Sequence, residues 1–371
     1  MRLLFLCLMF VCCSHMACTQ DLTTDGFANP RPSDDTSTVY LTLNNANFFK
    51  NNEFFNAFVE GYTLTGYFFQ PGISYRISDQ TILRGGLHLL KYSGESGFHQ
   101  IQPVFSLQHR IYKGIDLIMG TIRGECHHGL IDPLYHEERY LRENVENGLQ
   151  FLIDKPFIRA DLWVNWKNFI TRNAEAQEKF EIGFSSEVPI YRANRTLSVV
   201  MPLQLIGEHK GGQINRSDEP VSTLANFAVG PDVKVNVNSR LLSSLSWKNM
   251  YVGFQDLSPG SQKKNQEGHA LMSTFSVNTQ TVNMQLAWWK AHEFITSAGN
   301  PLYQVYSRKM NRYLDTERAL ITGRLLYHKN YKDLQFRVNV DAYWDTNAVQ
   351  LDYGFGIYLL MHLDFFLSAW G

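Results

Sequence analysis

The segment LQFRVNVDAYWD, residues 334–345, alternates apolar and polar side chains with a period of two. The apolar parity consists of Leu334, Phe336, Val338, Val340, Ala342 and Trp344. The opposite parity consists of Gln335, Arg337, Asn339, Asp341 and Tyr343. Such a period indicates a β-strand, because successive side chains leave opposite faces. The segment therefore predicts a strand with one face in an apolar medium and the other among polar groups.

The same alternation recurs along the chain, for example in segments 103–112, 157–169, 178–188, 196–207 and 318–329. Several of these runs last 10–13 residues. A sandwich strand usually has about 5–6 residues, whereas a tilted membrane strand needs about 9–11. Aromatic residues also recur near the ends of the runs, as they do at membrane interfaces. These features predict membrane strands whose apolar side chains face lipid and whose charged side chains face the interior of a barrel.

The spacing of the long polar connections agrees with a barrel. These connections fall near 124–146, 208–222, 256–267 and 294–316, with roughly four, two and two strands between successive ones. A barrel whose two chain ends lie on one side of the membrane needs an even number of strands between such loops. We therefore expect an all-β chain that forms a single antiparallel up-and-down transmembrane β-barrel of about 14–16 strands. A soluble exported β-sandwich also alternates and remains the alternative.

The first residues, MRLLFLCLMFVCCSHMACTQDL, have an arginine, a short apolar run and small residues. This order predicts a signal peptide over 1–19, followed by a flexible periplasmic lead-in over 20–37 and the barrel over 38–371. Lipid attachment at Cys18 is an alternative reading of the same leader. The mature chain would retain Cys126 as its single cysteine, so no internal disulfide is expected.

The C-terminal segment YLLMHLDFFLSAW ends at Trp370, one residue before Gly371. It is similar to the aromatic-ended final strand of porin-like outer-membrane β-barrels of Gram-negative bacteria, although Trp370 is penultimate and not last. The chain resembles that class over nearly the whole mature sequence. The resemblance implies location in the outer membrane and contact with its lipid. A formal net charge of -1 argues against a nucleic-acid partner.

Polar residues on the interior parity are the candidate pore-lining residues. They are Gln108, Arg110, Arg159, Asp161, Lys167, Glu181, Arg337 and Asp341. About 14–16 strands enclose a space wide enough for a channel, whereas about eight strands enclose one that side chains fill. Opposite charges across such a space would screen solutes by charge and dipole. The alternative is that these side chains pair with one another and fill the barrel as a static network.

The first long connection, 124–146, concentrates imidazole and carboxylate groups. The candidates for a constriction or a ligand site there are Glu125, His127, His128, Asp132, His136 and Glu138. These groups are zinc ligands in other proteins, but their spacing matches no metal motif. We therefore expect a loop that folds in and plugs or narrows the interior, without a metal or another cofactor.

The function expected from these features is a non-enzymatic, porin-like channel that admits small polar solutes. No Gly-x-Ser-x-Gly elbow or phosphate-binding loop is found in the sequence, so no catalytic residue is assigned. Three alternatives remain open at this stage. They are a surface-exposed binding or scaffold barrel with a closed lumen, an outer-membrane enzyme that uses the loop carboxylates or histidines, and an exported soluble β-sandwich that binds carbohydrate.

Overall fold

The computed structural model describes residues 37–124, 127–193, 196–237, 239, 241–260 and 266–369. The predicted signal peptide, its Cys18 and most of the lead-in lie outside the described residues. The strands are β1 (Thr38–Glu53), β2 (Tyr62–Arg76), β3 (Thr81–Tyr92), β4 (Gln100–Tyr112), β5 (Ile115–Thr121), β6 (Asn147–Lys155), β7 (Ile158–Asn168), β8 (Glu178–Ala193), β9 (Leu197–Gly211), β10 (Ser222–Val229), β11 (Asp232–Asn236), β12 (Ser244–Asp256), β13 (Glu267–Asn278), β14 (Val282–His292), β15 (Tyr306–Ser307), β16 (Arg312–Tyr313), β17 (Glu317–Tyr331), β18 (Leu334–Asp345) and β19 (Gln350–Ala369). Three short 3₁₀-helices complete the regular structure of the described residues: His127–Gly129, Glu137–Leu141 and Pro301–Tyr303.

The main sheet closes on itself. Strands adjacent in the chain pair antiparallel, and β1 pairs with both β2 and β19. β10 and β11 both pair with β9 and β12, so they are two segments of one barrel strand interrupted at Gly230 and Pro231. The proline has no N–H to give to a sheet ladder, which accounts for the break. Since β15 and β16 pair only with each other, the barrel has sixteen strands, and the predicted fold is confirmed.

The face assignment of β18 is also as predicted. Leu334 and Val340 are 40% and 44% exposed on the outer wall, whereas Arg337 and Asp341 are 2% and 3% exposed on the inner side. The apolar parity of an ordinary water-soluble sheet would be the buried one. In this barrel the exposed wall is apolar, as in a protein surrounded by lipid.

The long connections all lie at one end of the barrel. Thr38 pairs with Ala369, so the first and last strands begin and end at the same end, which we call the inner end. The two longest connections, 122–146 and 293–316, are at the opposite, outer end. Four, two and two strands separate the four predicted long connections, as expected. Outer-membrane barrels place short turns in the periplasm and longer loops outside the cell.

The two longest outer connections fold into the barrel. We call residues 127–146 together with 293–316 the lumenal plug. Leu134, Phe294 and Leu302 of the plug are buried against inward side chains such as Trp289 and Ile206 of the wall. This apolar cluster holds both connections inside the outer half of the barrel. None of the described helices has the length and hydropathy needed to cross a membrane.

Candidate functional site

The two halves of the lumenal plug bind each other directly. The Asn300 backbone N–H donates to the Asp132 carbonyl over 2.9 Å, and its side-chain amide donates to the Asp132 carboxylate over 2.7 Å. The backbone at Gly299 passes so close to Pro133 that a Cβ at this glycine would lie 1.9 Å from the proline carbonyl oxygen. Glycine is therefore required for the two segments to pack at this distance.

His128 lies at the centre of the first half of the plug. Its Nδ1 is 2.7 Å from an Asp161 oxygen, and its Nε2 is 2.7 Å from a Glu146 oxygen. The ring stacks on Trp163 with centroids 3.7 Å apart. Burial alone would lower the pKa of His128, but the two carboxylate charges and their hydrogen bonds outweigh it and raise the pKa to about 10. The imidazole is thus a charged ion-pair partner at neutral pH and cannot accept a proton there.

The other predicted loop residues lie nearby in the plug. His136 has its Nε2 3.9 Å from Glu138, and burial lowers the pKa of this imidazole. Burial opposes ionisation of Glu138, but His136 and Lys50 among others lower its pKa overall. The Asn52 side chain donates to Glu138 over 2.8 Å, which ties the plug to β1. Glu125 and the side chain of His127 lie outside the described residues, as does Cys126.

The candidate pore-lining residues all lie on the inward parity, and several belong to ionic networks with the plug. Glu181 accepts hydrogen bonds from Arg139 of the plug and from Lys167, over 2.8 and 3.2 Å. Asp341 accepts from Lys50 and from Arg324, each over 2.7 Å. Arg324 in turn pairs with Glu137 of the plug. These contacts join the plug to the wall through buried charges.

The remaining candidates are distributed along the interior. Arg110 pairs with Asp116 near the inner end, and Arg159 pairs with Glu187. Gln108 donates to Asp116, and Arg337 is buried on β18. A cavity is lined by plug residues and by inward residues such as Lys248 and Gln285. No group of three or more potential metal-binding side chains comes together in the described part of the chain.

A different polar cluster lies on the outer wall, in the outer halves of β1, β2 and β3 and the loop that follows. We call it the outward polar face; it comprises Asn45, Asn47, Asn51, Thr63, Thr65, Lys91, Ser93, Glu95 and His99. Asn47 pairs with Tyr67, and Tyr67 pairs with Lys91, so these side chains form a row across three strands. Asn51 accepts a hydrogen bond from Thr63 over 2.6 Å. These polar groups interrupt a wall that is otherwise apolar on neighbouring strands such as β18 and β19.

The loop 93–99 places a histidine and a carboxylate together at the outer rim beside this face, where the His99 ring also lies 4.7 Å from the ring of Tyr92. His99 Nδ1 is 3.0 Å from Glu95 Oε1, and both side chains are about half exposed. Lys91 Nζ donates to the carbonyl oxygens of Glu95 and Gly97 over 2.5 and 2.8 Å, which fixes the loop. The Thr65 and Ser93 hydroxyls are 3.4 Å apart beside it. A histidine oriented through Nδ1 by a carboxylate presents Nε2 for proton transfer.

Sequence reasoning assigned none of the outward polar face. The sequence does contain a sign of this face, because Asn45 and Asn47 follow Leu41 and Leu43 on the lipid-facing parity of β1. Lys91 likewise follows Leu87 and Leu89 on β3. The pairing of strands that brings these interruptions together is not readable from one sequence, so the cluster becomes visible only in the structure.

A model of the lipid A 3'-O-deacylase-type family matches residues 31–370. This family is one of hydrolases, so the expectation that the chain is not an enzyme is wrong. No curated protein sequence is significantly similar to the chain.

Solved structures support the fold. OprD, an outer membrane protein from Pseudomonas aeruginosa, superposes with a TM-score of 0.51 at 8% identity, covering 89% of this chain and 94% of its own. A loop L8 deletion mutant of OmpT, an outer membrane protein of Vibrio cholerae, gives 0.51 at 10% identity, covering 88% and 98%. At this identity the similarity establishes a shared outer-membrane barrel architecture and no more.

Proposed function

The chain belongs to the lipid A 3'-O-deacylase-type family, and we propose that it is an outer-membrane esterase that removes an ester-linked acyl chain from lipid A. Lipid A is a membrane lipid, so its ester groups lie at the boundary between headgroups and acyl chains. Groups that react with such an ester must be reached from the lipid and not from the lumen. The outward polar face meets this requirement, because it lies on the lipid-facing wall towards the outer end.

The observation that carries the proposal is the His99–Glu95 pair at the outer rim, beside this wall. His99 would act as the general base, with Glu95 holding the imidazole through Nδ1. Nε2 takes a proton from water as its oxygen attacks the acyl carbonyl carbon, and the proton then passes to the departing sugar oxygen. The products are a fatty acid and a free hydroxyl group. Lys91 is a positioning residue, since its ammonium holds the carbonyl groups of the loop that carries both side chains.

The buried imidazole of His128 is less suited to this role. Its side chain is fully enclosed between two carboxylates, and its pKa is raised to about 10. A base that is already protonated at neutral pH cannot activate water. We therefore assign His128 to the anchoring of the plug.

The test is deacylation of lipid A in cells that produce the protein. Mass spectrometry of extracted lipid A should show loss of one ester-linked acyl chain with the unaltered protein. His99→Asn and Glu95→Gln should each reduce that loss by about 10²–10⁴-fold, the usual contribution of general-base catalysis. His109→Asn is the matched control, because His109 is an outward histidine at the other end of β4 that is bound to Thr81.

The outcomes separate the two parts of the proposal. Intact lipid A in cells that carry the correctly inserted, unaltered protein argues against the esterase function itself. Full deacylation by the His99→Asn variant contradicts the assigned site and leaves the function in place. A loss in the His109→Asn variant equal to that in His99→Asn would also overturn the site, since a folding defect would then explain both.

A further inference from the structure

A second pair of histidines lies on the outer wall, away from the outward polar face. His269 near the start of β13 and His292 at the end of β14 are direct partners in the antiparallel register. Both side chains are exposed, and their ring centroids are 5.6 Å apart. Strands β17, β18 and β19 separate this pair from β1, so it does not belong to the site assigned above.

We propose that His269 and His292 form a two-histidine site for a divalent transition-metal ion at the outer rim of the barrel. Zinc binds imidazole nitrogens at about 2.0–2.1 Å, so two imidazoles on one tetrahedral ion have ring centres about 5–6 Å apart. The observed separation falls in that range. Imidazole is also the ligand that zinc, copper and nickel prefer over calcium and magnesium.

The backbone holds the two histidines in place. A Cβ on Gly268, the residue before His269, would lie 2.1 Å from the carbonyl oxygen of Glu293, the residue after His292. Only a glycine allows the two strand ends to approach this closely, so the register at the pair is fixed by packing. Cross-strand partners have Cβ atoms about 4.5–5.5 Å apart, which lets both side chains reach one ion without moving the backbone.

The neighbouring charges suit a cation whose coordination is completed by another anion. Glu317 is the register partner of His292 on β17, and Glu267 lies two residues before His269 on the same face. Neither carboxylate forms a three-ligand cluster with the two histidines, since the described residues contain no group of three or more potential metal-binding side chains. The ion would therefore keep open positions at the level of the lipid headgroups, where a carboxylate or a lipid phosphate can bind.

The experiment is a calorimetric titration in which Zn²⁺ is added to the untagged full-length barrel in zwitterionic detergent. One Zn²⁺ per chain should bind, and His269→Asn or His292→Asn should weaken the affinity at least tenfold. His209→Asn is the matched control, because His209 is a single outward histidine on β9, bound to Thr223. It should leave the affinity unchanged.

Electron paramagnetic resonance with Cu²⁺ supplies a readout that does not depend on stability. The unaltered protein should give the hyperfine pattern of two nitrogen ligands, and each single variant that of one. The proposal would be overturned if the variant that carries both His269→Asn and His292→Asn bound Zn²⁺ as tightly as the unaltered protein. A Cu²⁺ spectrum that both substitutions leave the same would also overturn it.

Discussion

His128 and His99 differ in what surrounds their rings. His128 is enclosed, stacked on Trp163 and paired on both nitrogens with carboxylates, whereas His99 is half exposed and paired on one. In a low-dielectric interior a charge is stable only when it is paired and hydrogen-bonded. The first arrangement therefore keeps a permanent charge that anchors the plug. The second leaves a nitrogen available for proton transfer.

The His128 cluster yields a prediction about plug stability. His128→Asn leaves Glu146, which is buried and bound by Tyr135, without its main counter-charge, and removing one partner of a buried ion pair costs about 3–5 kcal/mol. Amide hydrogen exchange across 127–146 should therefore lose protection by that amount. Arg159→Gln, which breaks the exposed pair with Glu187, should change exchange by about 0–1 kcal/mol. Equal effects from both substitutions would refute the anchoring role.

The same cluster determines how plug protection depends on pH. The pKa of His128 is raised from 6.5 to about 10, so its stabilisation is complete below pH 6.5 and is lost as pH rises towards 10. Burial would raise the pKa of Glu146, but His128 and its hydrogen bond lower it from 4.5 to about 2, so that stabilisation is lost only as pH falls from 4.5 towards 2. Protection should be greatest between these limits, at pH 4.5–6.5. In the His128→Asn variant the decline above pH 6.5 should disappear.

At the scale of the strand, the medium outside the barrel determines which of the two alternating sets of side chains faces outward. Val340 lies near the middle of β18 and faces outward, and Leu334 lies at its inner end on the same face. A lysine on the lipid face costs about 2–4 kcal/mol at the bilayer midplane and about 0–1 near an interface. A lysine should therefore destabilise the barrel more at Val340, near the middle of the strand, than at Leu334, at its end.

We expect Val340→Lys to lower the unfolding free energy of the barrel in lipid by about 2–4 kcal/mol and Leu334→Lys to lower it by no more than about 1 kcal/mol. Both unfolding free energies are measured on unheated gels, from the loss of the compact, fast-migrating form as the urea concentration increases. Equal destabilisation by the two lysines would mean that this face of β18 does not contact acyl chains.

The strands were predictable from the sequence because a period of two is a local property. The faces of β7 and β18 and the number of strands between outer loops followed from it. The inward path of the first long connection was expected, as a loop that plugs or narrows the lumen. The contact between Asp132 and Asn300 was not predictable, because the two residues lie far apart in the chain. The outward polar face was missed for a similar reason, since it depends on the register of β1 with β2 and of β2 with β3.

At the scale of the whole molecule, the enclosed charges and the plug decide what the lumen can do. Sixteen strands enclose a space wide enough for solutes, but the plug fills its outer half with apolar packing and paired charges. A wide sheet is compatible with transport only if the space inside it is continuous. The structure thus separates the barrel, which the sequence predicted, from the porin-like channel, which it also suggested.

Breaking the contact between the halves of the plug should reveal this difference as conductance. Gly299→Val places a side chain against the Pro133 carbonyl, where a Cβ alone would lie at 1.9 Å, so the two segments must separate. Planar bilayers should show small or infrequent openings with the unaltered protein and conductance at least severalfold larger with the variant. Gly323→Val is the control, because a Cβ there meets no atom within 4 Å. Large, steady openings in the unaltered protein would show that the plug does not close the lumen, and the channel function would then have to be reconsidered.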